Sequence, residues 1–161
     1  MTTILENASA RAVIEALDRH ERETSATYAR MLGGYVEDRP EVLVYVTGMP
    51  APWANGVKAP RLSPAAVDEV IRGVSARLRE AGVPGLWEVG PLATPGDLGE
   101  RLERAGIRRD FTLDMMSAEI DGMDLDVPPP PEIDIRRVAE VGDHERWLRV
   151  MEAGFDMPQG H

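Results

Sequence analysis

The sequence predicts an α/β fold, a sheet flanked by helices, on three observations. Val42-Leu43-Val44-Tyr45-Val46 is an apolar run rich in β-branched residues, the pattern of a strand buried on both faces. Val67, Val70, Ile71, Val74, Leu78 and Ala81 recur at three- and four-residue intervals, which puts them on one stripe of a helix over Ser63–Gly82. From residue 42 onward the predicted elements alternate strand, helix, strand, helix, strand, as in a sheet with helices packed on it.

The elements follow in order. Asn7 or Ser9 can cap a first helix that runs to about Leu32 and stops at Gly33-Gly34. Val13, Ala16, Leu17, Thr24, Tyr28, Met31 and Leu32 give it an apolar side, while Asp18–Ser25 is polar enough to predict a break or a solvent-facing stretch. Tyr35–Asp38 and Val42–Thr47, separated by Arg39-Pro40-Glu41, read as a hairpin. Gly48–Leu62 is a long loop carrying Pro50, Pro52, Trp53, Asn55, Gly56 and Pro60. In the helix that follows, Ser63 suits the cap, Pro64 the first position and Gly82 a left-handed stop. Leu86–Val89 is a short strand, and Thr94-Pro95-Gly96-Asp97 opens a helix whose Leu98, Leu102 and Ala105 face inward and which Gly106 ends. Phe111–Ile120 alternates as a strand. Three aspartates and then Pro128–Pro131 form a stiff connector over 121–132, dividing 1–120 from a new strand, Ile133–Val138, and a helix over about Gly142–Ala153. A lone strand and helix cannot bury their own apolar surface, so 133–161 reads as the opening of a second domain, truncated.

Composition narrows the function. A formal charge of −10 lacks the basic footprint of a nucleic-acid surface. The chain has no cysteine, which excludes disulfides, thiolate catalysis and Cys-ligated zinc. No apolar run reaches the roughly 20 residues of a membrane span and no signal peptide is evident, so the expectation is a cytoplasmic protein without membrane or nucleic-acid partners. His20, His144 and His161 have no ligand-like spacing, and no metal site is expected. Trp53 and Asn55 have two readings: a pocket lining, or an Asn55-Gly56 tight turn with Trp53 plugging the domain edge.

Taken in order, several stretches resemble the GNAT superfamily of N-acetyltransferases, in particular bacterial members with two tandem halves. They are Thr47–Val57, Leu86–Pro91 with Thr94–Leu98, Arg104-Ala105-Gly106-Ile107, and Ile133–Val138 followed by Trp147 and Gly154-Phe155. The resemblance implies a mixed sheet flanked by helices, here an incomplete acyl-CoA N-acyltransferase fold, with acetyl-CoA as cofactor and a small-molecule or peptide amine as acceptor. In that family a loop of pattern Gln/Arg-x-x-Gly-x-Gly/Ala presents backbone amides to the cofactor pyrophosphate at a helix start. Here the loop reads Arg61-Leu62-Ser63-Pro64-Ala65-Ala66. Arg61 and Ala66 fall in register and Ser63 lies between them, but Pro64 stands where glycine belongs and has no N–H to give. The family's acid tyrosine would fall at Leu102.

The resemblance therefore implies a degenerate first half, with no catalytic residue of its own, that shapes the acceptor site or pairs with a missing C-terminal catalytic half. This segment alone would be inactive and would bind no cofactor. Trp147 and Phe155 could border the acceptor site or simply belong to a core. The alternative from a different class is a stand-alone, non-catalytic α/β ligand-binding or dimerisation module, with the strand near Ile133 completing a sheet in a homodimer.

Overall fold

The computed structural model describes residues 8–124 and 126–154. Asn7, Phe155 and His161 lie outside the described residues. The chain divides into two units, Met1–Leu113 and Asp114–His161, each described by itself.

The first unit is an α/β sandwich built on a mixed four-stranded sheet in the order β1-β2-β3-β4. Helix α1 (Ala10–Met31) opens on Ser9, whose Oγ accepts from the Ala12 amide at 3.3 Å. Strands β1 (Tyr35–Arg39) and β2 (Val42–Val46) form the expected hairpin, closed by a two-residue turn on the pair Arg39–Val42. Strand β3 (Asn55–Lys58) pairs antiparallel with β2 and lies inside what reads as a loop. Helix α2 (Val67–Ala81) crosses over to β4 (Leu86–Trp87), which runs parallel to β3, and α3 (Leu98–Arg104) follows.

All five residues of β2 are buried, and the pleat divides them between two cores. Leu43 and Tyr45 pack with Ala26 and Ala29 of α1. Val42 and Val44 pack with Val57, Leu62, Val67, Ile71, Val74, Leu98 and Leu102 on the α2 and α3 side. The two faces thus close differently, with alanines on one and branched side chains on the other.

Several expectations are corrected. The Ser63 side chain does not cap α2: the Ser63 carbonyl instead accepts from the Ala66 amide at 3.0 Å, and the helix proper starts at Val67. Its end is as expected, with Gly82 left-handed at φ 68°. The middle of α1 is neither broken nor given over to solvent, because Asp18, Glu21 and Arg22 pair with Arg61, Lys58 and Asp38 on the sheet side. Thr24, Met31 and Leu32, read as part of the apolar side, are exposed, and Ala26 and Ala29 make the contact. Ala105, read as inward-facing, is exposed.

Neither Phe111–Ile120 nor Ile133–Val138 forms a strand. Neither is paired with another strand among the described residues, and an isolated extended segment leaves its amides to water. Phe111, Leu113, Ile133 and Ile135 are exposed accordingly. The second unit contains a 3₁₀ turn at Ile120–Gly122 and helix α4 (Val141–Gly154), which has no buried residue.

Candidate functional site

The stretch 61–66 is where a helix-start cofactor site would form, and three of its five backbone amides are already engaged. The Arg61 amide donates to the Glu41 carbonyl at 2.7 Å, and the Leu62 amide to the Thr94 carbonyl at 3.1 Å. Thr94 returns the contact twice, its amide to the Pro60 carbonyl at 3.0 Å and its Oγ1 to the Leu62 carbonyl at 3.3 Å. Ala66 donates to Ser63 and Pro64 has no N–H. On the outside, Arg101 of α3 reaches over the turn, with Nη1 3.0 Å from the Pro64 carbonyl and 3.5 Å from Asp68. A hydrogen bond from Arg101 holds the Asp97 carboxyl below the usual carboxylate range, so both ends of this clamp are charged. Asp68 and Glu69 in the first turn of α2 complete the helix dipole from within.

The three candidate cofactor residues do not converge. Arg61 turns toward α1, where Nη2 meets Asp18 Oδ2 at 2.6 Å and Nη1 meets the Leu92 carbonyl at 3.1 Å. Ser63 is exposed at the turn. Ala66 lines an open depression of about 350 Å³ on the α2 side, with Val44, Val70 and Val74 at its base and Glu37, Arg39, Glu69 and Arg77 around it. Leu102 is buried in the core, far from any role as an acid.

Asn55 is a structural centre. It is fully buried, its Oδ1 accepts from the Thr47 amide at 2.8 Å, and its Nδ2 lies within 3.0 Å of the carbonyls of Met49, Ala51 and Pro84. Every polar atom of the amide is used, leaving none for a ligand. Asn55 and Gly56 open β3 instead of making a tight turn. Trp53 is half-exposed on the same loop and stacks against Tyr28 with ring centroids 6.4 Å apart. Trp147 lies on α4, half-exposed, and stacks on His144 at 5.8 Å. Phe155 falls outside the described residues.

One charged group that sequence reading passed over is Lys58, the single lysine of the chain. It ends β3, bonded to Glu21 of α1 at 3.1 Å and to Glu88 just past β4. Burial works against its charge, but the bonds to Glu88 and Glu21 outweigh it and raise the pKa. The lone Lys among 17 Arg was the available signal. Among the described residues no three His, Cys, Asp or Glu side chains gather as cation ligands, and no helix is long and apolar enough to cross a membrane. No family model, curated protein or solved structure matches this chain.

Proposed function

We propose that the first unit is a non-catalytic scaffold half of a GNAT-type, acetyl-CoA-dependent N-acetyltransferase. The observation that carries this reading is the closure of 61–66: an amide given to Glu41, one to Thr94 and one to Ser63, with a proline between them. A pyrophosphate needs free N–H groups at a helix start, and three of the five N–H groups over 61–66 are given to protein carbonyls. Two further features support the reading. Strands β3 and β4 share only the pairs Gly56–Leu86 and Val57–Trp87, and just beyond them the Lys58–Glu88 ion pair joins the two chains by their side chains. The order of helix, antiparallel hairpin, third strand, crossover helix and parallel strand gives a mixed sheet flanked by helices, as the resemblance implies.

The role of this half is then architectural, presenting a sheet and a helical layer to a catalytic half and helping to shape the site for an amine acceptor. Calorimetric titration of this chain with acetyl-CoA should give no saturable heat up to about 1 mM, weaker than about −4 kcal/mol. Micromolar binding abolished by Arg61→Ala would overturn the reading. In a chain that carries the second half complete, the same titration should saturate.

A further inference from the structure

We propose that the outer edge of β1 binds the strand-patterned segment Ile133–Val138 of a second copy, antiparallel, with Glu37 opposite Arg137 and Asp38 opposite Arg136. Strand β1 is an end of the sheet and has no strand beyond it among the described residues. Its hydrogen-bonding phase follows from the other strands. The Val57 carbonyl accepts from the Glu88 amide, so Val57 bonds toward β4 while Gly56 and Lys58 bond toward β2. Carried through the register, Tyr35, Glu37 and Arg39 bond inward, and Val36 and Asp38 turn their N–H and C=O groups to the open edge.

The same chain holds a segment with the complementary need. Ile133-Asp134-Ile135-Arg136-Arg137-Val138 puts Ile133 and Ile135 on one side of an extended chain and Val138 on the other, yet the three are 53%, 76% and 48% exposed and the segment pairs with no strand among the described residues. In the proposed register Val36 and Asp38 form the two bonding pairs, with Val138 and Arg136. Val138 then lies beside Val36 on the α1 face, and Arg136 beside Asp38. On the α2 face Arg137 meets Glu37, and Ile135 lies along Arg39 at the rim of the depression based on Val44, Val70 and Val74. Both carboxylates already have partners, Asp38 in Arg22 and Arg30 and Glu37 in Arg39 and the Tyr35 hydroxyl; Glu37 has one cation where Asp38 has two, so Arg137 beside Glu37 is the pair that the register adds.

The other edge-to-edge arrangements are poorer. Two β1 strands paired about their centre set Glu37 against Glu37. A parallel addition that keeps Arg136 at Asp38 sets Arg137 against Arg39. Reciprocal exchange in a two-fold dimer satisfies both copies at once, because each supplies one edge and one strand.

The experiment uses the full chain, whose lack of cysteine makes introduced thiols unique. Sedimentation from 1 to 100 μM (about the range for a modest dimer) should show a monomer–dimer equilibrium. Mixing Val36→Cys with Val138→Cys protein under mild oxidation should yield about tenfold more cross-linked heterodimer than mixing Val36→Cys with Asp134→Cys. Arg136→Pro, in an exposed segment without secondary structure, should weaken dimerisation about tenfold or more by removing a bonding amide. Glu37→Arg and Arg137→Glu should each weaken it, and the double variant should recover to within about threefold of the starting chain. A monomer throughout, a dimer indifferent to Arg136→Pro, or cross-linking that does not favour position 138 would overturn the proposal.

Discussion

Asn55 shows what a single buried amide can organise. Its side chain joins the end of β2, the loop 49–51 and the turn before β4, three segments that no local pattern connects. Asn55→Ala leaves the Thr47 amide and three carbonyls short of a partner, and should cost about 3 kcal/mol in urea unfolding. Asn55→Asp should be at least as costly, since a carboxylate cannot donate to those carbonyls. Gly56 beside it is equally constrained: a Cβ there would come within 1.8 Å of the Leu86 carbonyl oxygen, and its φ of 138° disfavours any side chain. Gly56→Ala should detach β4 and lower the thermal midpoint by 10 °C or more (about 2 kcal/mol or above for a unit of this size). As residues on a loop, both are visible in the sequence; their partners are not, because the Pro84 and Leu86 carbonyls lie about 30 residues away.

At the scale of elements, legibility followed local determination. The hairpin, the left-handed end of α2 and the two-sided burial of β2 are set by nearby residues, and they were readable. Strand β3 was not, because Asn-Gly-Val-Lys has one strand-forming residue and is held by β2 and β4 on either side. Phe111–Ile120 has the alternation but no neighbour, so pattern alone misled. The docking of α1 was hidden for a related reason: its polar middle reads as solvated until Asp38, Lys58 and Arg61 are brought opposite it.

Those pairs give α1 a pH signature. Hydrogen bonds from Arg22, helped by Arg30, hold Asp38 below its ordinary value, so its contribution is present above about pH 4 and fades as pH falls through the lowered value. Asp38→Asn should flatten the acid limb of the melting-temperature profile below about pH 4. Lys58 has the opposite sign. Its raised pKa means that its contribution is complete below its ordinary value near 10.5 and is lost as pH rises past that point. Lys58→Met should cost about 1–2 kcal/mol at neutral pH, a value reduced from that of a buried pair because Glu21 and Glu88 are partly exposed, and it should lessen the alkaline loss, to which the raised Tyr45 and Tyr35 also contribute.

For the whole molecule, the decisive fact is where the burial lies. Among the described residues every buried hydrophobic side chain falls between Ala26 and Leu102, and α4 has none. The first unit therefore holds the cooperative core, and the stretch from Asp114 onward adds exposed apolar groups such as Met116, Ile135 and Val150 without a core of its own. A chain ending at Leu113 should unfold in one transition, with a midpoint within about 3 °C of the full chain at low protein concentration. The two should diverge as concentration rises. If Ile133–Val138 joins the β1 edge of a second copy, mass action raises the midpoint of the full chain with concentration, and the shortened chain loses that dependence. Differential scanning calorimetry of both chains at about 5 and 200 μM separates the contributions: the core is read at the low concentration, the exchanged strand from the slope. Equal slopes would place the association outside the segment after Leu113, and a large drop in midpoint at low concentration would mean that this segment supports the core directly.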